Sequence, residues 1–177
     1  MPDISTGWRP EPDWTSARLH GPTLDIRAVP GLPQRLVSGD IARFLARHGL
    51  SGDVGGLGLA SGDRYAVRVA RDRLLVVGLA ASDCADGWHA EGYGVSTVGA
   101  GLRVLDIRGA GVRDLLARAT TVDPDDPGRS AALLFCGLTC TVYFHGDGQT
   151  LRLHVDRGLA AYLWEWLECQ PLLAGGE

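Results

Sequence analysis

Residues 102–126 read LRVLDIRGAGVRDLLARATTVDPDD, and residues 133–168 read LLFCGLTCTVYFHGDGQTLRLHVDRGLAAYLWEWLE. From Arg103 to Arg108, Val104 stands on one face and Leu105 and Ile107 on the other, the period-2 pattern of a half-buried strand. Gly109 and Gly111 end the extended run. Val112, Leu115, Leu116 and Ala119 then recur at helical spacing, which predicts an amphipathic helix to about Ala119. Residues 120–126, with Pro124 and the following Pro127, stop it. Residues 131–135 and 139–145 are rich in Leu, Val, Thr, Tyr and Phe, and the Gly146-Asp147-Gly148 tip leading into 150–155 predicts a hairpin. In residues 157–169, Leu159, Tyr162, Leu163, Trp166 and Leu167 form the apolar stripe of a last helix, expected to pack on that hairpin. Strand, helix, strands and helix in this order is a split-βαβ, ferredoxin-like arrangement.

The first half carries a weaker copy of the same pattern. Leu24, Ile26 and Ala28 alternate as a short strand, and residues 32–37 suggest another. Ser38-Gly39-Asp40 then caps a helix whose apolar side is Ile41, Phe44 and Leu45 and whose end is His48-Gly49. Residues 65–70 and 73–77 read as a hairpin, residues 80–94 as a short helix and loop. Arg35-Leu36-Val37-Ser38-Gly39, a helix and Leu45-Ala46-Arg47 recur as Leu105-Asp106-Ile107-Arg108-Gly109, a helix and Leu116-Ala117-Arg118. The expected fold is therefore α+β, with two ferredoxin-like units about a pseudo-twofold axis. A single globular domain spans residues 23–177, its halves about 23–100 and 101–177, and neither half buries a core alone. Residues 1–22 hold four prolines with Trp8 and Trp14 and are read as an N-terminal arm. Each tryptophan needs a place for its ring, on this chain's core or on a partner.

Composition narrows the function. The 177 residues are 45% hydrophobic and 21% charged, ordinary for a globular protein, and the net charge of −4 offers no basic field for a phosphate backbone. Nucleic-acid binding is thereby excluded. Every basic residue other than His is Arg, so no lysine is present for Schiff-base or general-base chemistry. No apolar run reaches 18 residues and no signal-peptide pattern appears, so neither membrane span nor export is expected. Cys84, Cys136, Cys140 and Cys169 form no CxxC pair and read as reduced thiols of a cytoplasmic protein.

Candidate chemical sites are sparse. The glycine-rich residues 52–62 lack both the dinucleotide fingerprint and a P-loop lysine. Cys136 with Cys140 lacks the further ligands of a zinc site. Asp83, Cys84, Asp86 and His89 make the one cluster shaped like a nucleophile with its base, without an oxyanion element. His145 and His154 lie on opposite arms of the last hairpin, where they face each other as a pH-sensitive pair or stand in solvent. Asp123, Asp125 and Asp126 form an acidic turn without calcium-loop spacing. No catalytic, cofactor-binding or metal residue is assigned.

Leu105-Asp106-Ile107-Arg108-Gly109, the helix end Leu115-Leu116-Ala117-Arg118, Val122-Asp123 and the closing Ala160-Ala161-Tyr162-Leu163-Trp164-Glu165-Trp166-Leu167 together resemble the gamma subunit of heterotetrameric sarcosine oxidase, of the glycine cleavage T-protein superfamily. The resemblance implies a non-catalytic structural subunit of a complex that demethylates an N-methyl amino acid. Large alpha and beta subunits and a small delta subunit would be its partners, with FAD, FMN, NAD and folate held in the larger subunits and none in this chain. A stand-alone folate or small-ligand binder or aminomethyltransferase of the T-protein type is the alternative. The T-protein places a carboxylate and an Asn where this chain has residues 137–141 and Val122, so its folate site is not carried over. Trp164 falls off the stripe of the last helix and is expected to present its ring outward, or else to pack under the arm. Trp8, Trp14 and Trp164 are accordingly the interface candidates.

Overall fold

Short apolar runs separated by tight turns make many short strands, and the computed structural model, which describes residues 10–50, 54–126 and 128–174, pairs them into two sheets. The chain order begins β1 (Arg18–His20), β2 (Asp25–Ala28), β3 (Gln34–Gly39), α1 (Ile41–His48), β4 (Leu59–Ala60), β5 (Tyr65–Ala70) and β6 (Arg73–Val77). It continues β7 (Gly87–His89), β8 (Tyr93–Thr97), β9 (Leu102–Arg108), α2 (Val112–Ala119), β10 (Ala132–Phe135), β11 (Leu138–His145), β12 (Thr150–Asp156) and α3 (Ala160–Glu168).

The first sheet runs β5-β6-β3-β8-β7 and the second β1-β2-β9-β12-β11-β10, with β4 parallel to β11. In each, the strand before the helix lies between the second hairpin strand and a fourth strand: β6-β3-β8 in one, β12-β9-β2 in the other. These are the two ferredoxin-like units. The second takes its fourth strand from the N-terminal segment, so the expected division near residue 100 does not separate the sheets. One pair of glycines marks the correspondence. Gly39 (φ 105°) and Gly109 (φ 121°) end β3 and β9 in the left-handed half of the map, and a side chain would strike the carbonyl of Gly92 in the first unit and of Thr23 in the second. The same two carbonyls accept from the N–H of Asp40 and of Gly111, each at 3.0 Å.

Val112, Leu115, Leu116 and Ala119 of α2, all buried as their spacing predicts, cover Leu105, Ile107, Leu151 and Leu153 together with α3. In contrast, α1 buries only Phe44 and depends on its ends: the Asp40 carboxylate accepts from Arg43 N–H, and Gly49 closes the helix in the left-handed conformation. Such a cap contributes about 1 kcal/mol. Tyr65, Val67, Leu75 and Val77 of the first sheet meet Tyr143 and Ala131 on the inner side of the second. The layers are helices, sheet, sheet, helix. Strand β9 is therefore buried on both faces over Val104–Ile107 rather than half-buried, because the first sheet covers the side that the alternation assigns to water.

Three local expectations change. Residues 80–94 form a turn and the β7/β8 hairpin instead of a helix. Arg35, itself buried, binds that turn through the carbonyls of Leu79 and Cys84 and the Asp86 carboxylate. The glycine-rich stretch, of which residues 51–53 lie outside the described residues, bridges the two sheets: Val54 pairs with Val67 and Leu59–Ala60 with Phe144–His145. Gly55 and Gly56 run so close to the backbone of Gly128 and Ser130 that no side chain fits. On the last helix, the buried set is Ala160, Leu163, Trp164 and Leu167, while Tyr162 is 56% exposed. Trp164, expected either to point outward or to pack under the arm, takes the second place: it is 6% exposed and meets Trp14 of the arm edge to face, ring centroids 5.6 Å apart. The arm supplies the apolar partner that turns this face inward, and the Tyr162 hydroxyl goes to water. Trp8 lies outside the described residues.

Candidate functional site

Alternation along β12 sends Leu151, Leu153 and Val155 to the helices and Thr150, Arg152 and His154 to the space between the sheets. Asp106 of β9 and Tyr143 of β11 face the same space, and Gln34 and Tyr65 enter it from the first sheet. Asp106 is 2% exposed, yet its two oxygens accept from Arg152 Nε at 2.7 Å and Nη2 at 2.9 Å. Arg27, half in solvent, adds a second cation at 3.6 Å.

From Arg152 the hydrogen bonds run in one direction. Nη1 donates to the Tyr65 hydroxyl at 2.9 Å, which leaves that hydroxyl to donate to Tyr143 at 2.9 Å and Tyr143 to donate to His154 Nε2 at 2.6 Å. His154 must then carry its proton on Nδ1, which donates to Gln34 Oε1 at 2.6 Å. Burial works against the Arg152 charge, and the Asp106 carboxylate more than offsets it, raising the Arg152 pKa. Burial also pushes the Tyr143 phenol up, helped by Tyr65. Burial, reinforced by Arg152, pushes His154 down to about 3. The network is thus one buried ion pair and one neutral donor chain that stitches β12 to both sheets.

A pH dependence follows. Since the folded pKa of His154 lies below the 6.5 of a free imidazole, the unfolded chain takes the proton first as pH falls. The contribution is whole above that ordinary value and is lost between it and about 3, at about 1.4 kcal/mol per pH unit. Urea unfolding at several pH values is expected to show the stability gap between wild type and His154→Asn narrowing as pH falls. Parallel slopes would mean that His154 is not held neutral.

The other candidate groups are structural in their surroundings. His145 and His154 do not pair: they oppose Thr150 and Thr141 at opposite ends of the hairpin, and His145 bonds the Gly62 carbonyl. The Cys84 thiol lies 3.9 Å from His89 Nε2, but that nitrogen is bonded to the Ala85 carbonyl at 2.9 Å, and burial raises the thiol pKa. Asp86 serves Arg35 and Thr97, and Asp83 pairs with Arg64, so no carboxylate among the described residues orients His89. Cys136 and Cys140 are free, their thiols pushed by burial to about 11 and about 12. Asp125 of the acidic turn pairs with Arg113. Among the described residues no group of His, Cys, Asp or Glu is placed to hold a metal ion. Asp106, Arg152 and Gln34 were not legible as a cluster. Their signal, charges set singly among aliphatics on adjacent strands, has the same appearance as a solvated face.

Comparison with known proteins places this architecture. Residues 53–171 match the family described as sarcosine oxidase, gamma subunit. No curated protein matches the chain. Among solved structures, a chain of the heterotetrameric sarcosine oxidase from Corynebacterium sp. U-96 is similar with a TM-score of 0.65 and 17% identity, over 84% of this chain and 85% of that one. The glycine cleavage system aminomethyltransferase T from Bartonella henselae is similar with a TM-score of 0.53 and 16% identity, over 88% of this chain and 48% of that one. At these identities it is the fold that is shared.

Proposed function

The chain belongs to the sarcosine oxidase, gamma subunit family, and from that premise we propose that it is a non-catalytic structural subunit of a four-subunit, flavin-dependent oxidase of sarcosine or a similar N-methyl amine. The family match over residues 53–171 carries the proposal. Large alpha and beta subunits and a small delta subunit are its partners, and FAD, FMN and NAD, with folate as acceptor, reside in the larger ones. The complex works in the cytoplasm in sarcosine catabolism. The chemistry of the buried network supports a supporting role, since Asp106, Arg152, Tyr65, Tyr143 and His154 direct their polar groups at one another. Among the described residues, no helix is long and apolar enough to cross a membrane.

Trp14 and Trp164 satisfy each other inside the chain, so the rings left for a partner are those still open. Trp88 on edge strand β7 is 74% exposed. An exposed tryptophan on an edge strand is a natural interface anchor, and truncating such an anchor commonly costs about 2 kcal/mol or more of binding. Trp88→Ala is expected to leave the unfolding midpoint of the isolated chain unchanged and to weaken its association with the co-expressed partner subunits about 30-fold or more. Undiminished association would move the interface elsewhere.

A further inference from the structure

The donor chain that ends on Gln34 leaves that residue half used. Its Oε1 is taken by His154 Nδ1–H, which fixes the amide so that the NH2 group is the free end. Gln34 is only 3% exposed, its amide nitrogen has no partner among the described residues, and the side chain lines a cavity of about 220 Å³. This cavity lies where the β2–β3 connection, at Pro30 and Gly31, and the turn at Gly99 meet the start of β9. Arg103 lines it too. The Arg103 guanidinium stacks over the Trp14 ring, 5.6 Å from its centroid, and its Nε is shielded from solvent without a hydrogen-bond partner. No carboxylate among the described residues pairs with Arg103, and none lines the cavity. One solvent-shielded donor without a partner, Arg103 Nε, and one unpartnered amide that opens toward solvent, that of Gln34, therefore border one small space whose walls supply no free acceptor side chain, whereas shielded donors are ordinarily paired.

We infer that this cavity is a binding site for a small monocarboxylate. One cation and one neutral amide balance a single negative charge, which favours a carboxylate over a phosphate dianion, and the planar oxygens suit the guanidinium edge. The Trp14 ring gives the acid's apolar end a wall to lie against. The site is independent of the subunit reading, because it is complete in this chain. The carboxylate comes either from a free acid or from an acidic side chain of a partner subunit, and the free acid is the source that a cavity of this size favours.

Acetate is the probe, titrated into the full-length chain against sodium chloride at constant ionic strength. The Arg103 Nε–H resonance and saturation transfer to the acetate methyl group are the readouts. A saturable downfield shift of Arg103, with a Kd of about 1 mM or tighter, is expected. Arg103→Gln and Gln34→Glu are each expected to weaken acetate at least tenfold. Gln34→Glu can still accept from His154 and sets a negative charge where the amide stood, so it tests whether Gln34 faces the bound anion. A response linear in acetate, or saturable binding that neither variant weakens, overturns the inference. In the assembled complex, retained acetate binding identifies a free acid as the source. Loss of binding on assembly, with Arg103→Gln weakening the assembly, identifies the partner's carboxylate.

Discussion

Arg152→Leu is expected to lower the unfolding free energy of the isolated chain by about 3–5 kcal/mol, the usual consequence of leaving one member of a buried ion pair behind. The Asp106 carboxyl group would then be left among Val104, Tyr65 and the inner sheet faces with Arg27 at 3.6 Å as its remaining cation among the described residues, and the Tyr65 hydroxyl would lose its donor. The pair and the chain share Arg152, so one substitution disrupts both. Asp106→Leu in the same background removes the stranded carboxylate, and the double variant is expected to recover most of the loss, since replacing a buried pair whole is often neutral or stabilising. Urea denaturation of the two single variants and the double one measures this directly. A single variant within about 1 kcal/mol of wild type would show that water reaches the pair.

Trp164→Ala is expected to cost about 3–5 kcal/mol, as truncation of a buried tryptophan does. The ring fills the space between α3 and the arm, and its edge-to-face contact with Trp14 should appear as a coupling of about 0.5–1.5 kcal/mol in a Trp14/Trp164 double-mutant cycle. Trp14→Ala also removes the surface on which Arg103 stacks. An unchanged unfolding midpoint for Trp164→Ala would instead restore the outward-facing ring that the helical stripe suggests.

That stripe shows where sequence reading stops. Leu159, Tyr162, Leu163, Trp166 and Leu167 fit helical spacing as well as Ala160, Leu163, Trp164 and Leu167 do. The two faces are one residue, about 100°, apart. The choice between them is made by Trp14, far away in the chain, and by a hydroxyl on Tyr162 that tolerates water. Where the contrast was local, the reading held: α2 buries all four predicted residues, and Asp40 and Gly49 cap α1. The order of elements was enough for the two-unit fold. It was not enough for β2, which completes the second sheet although it precedes the first, because a four-residue strand carries no mark of its partner. For the same reason the Asp106–Arg152 cluster stayed hidden. Arg152 and His154 alternate with Leu151, Leu153 and Val155 as solvent-facing residues would, and their burial comes wholly from the packing of a second sheet.

The central claim, that this chain works as one subunit of an oxidase complex, is tested most directly by purifying the tagged wild-type chain from its native host. It is predicted to elute with three further subunits, at one copy each by native mass spectrometry, and to carry flavin absorbance that the isolated chain lacks. Elution as a lone chain, or only with copies of itself, would contradict it.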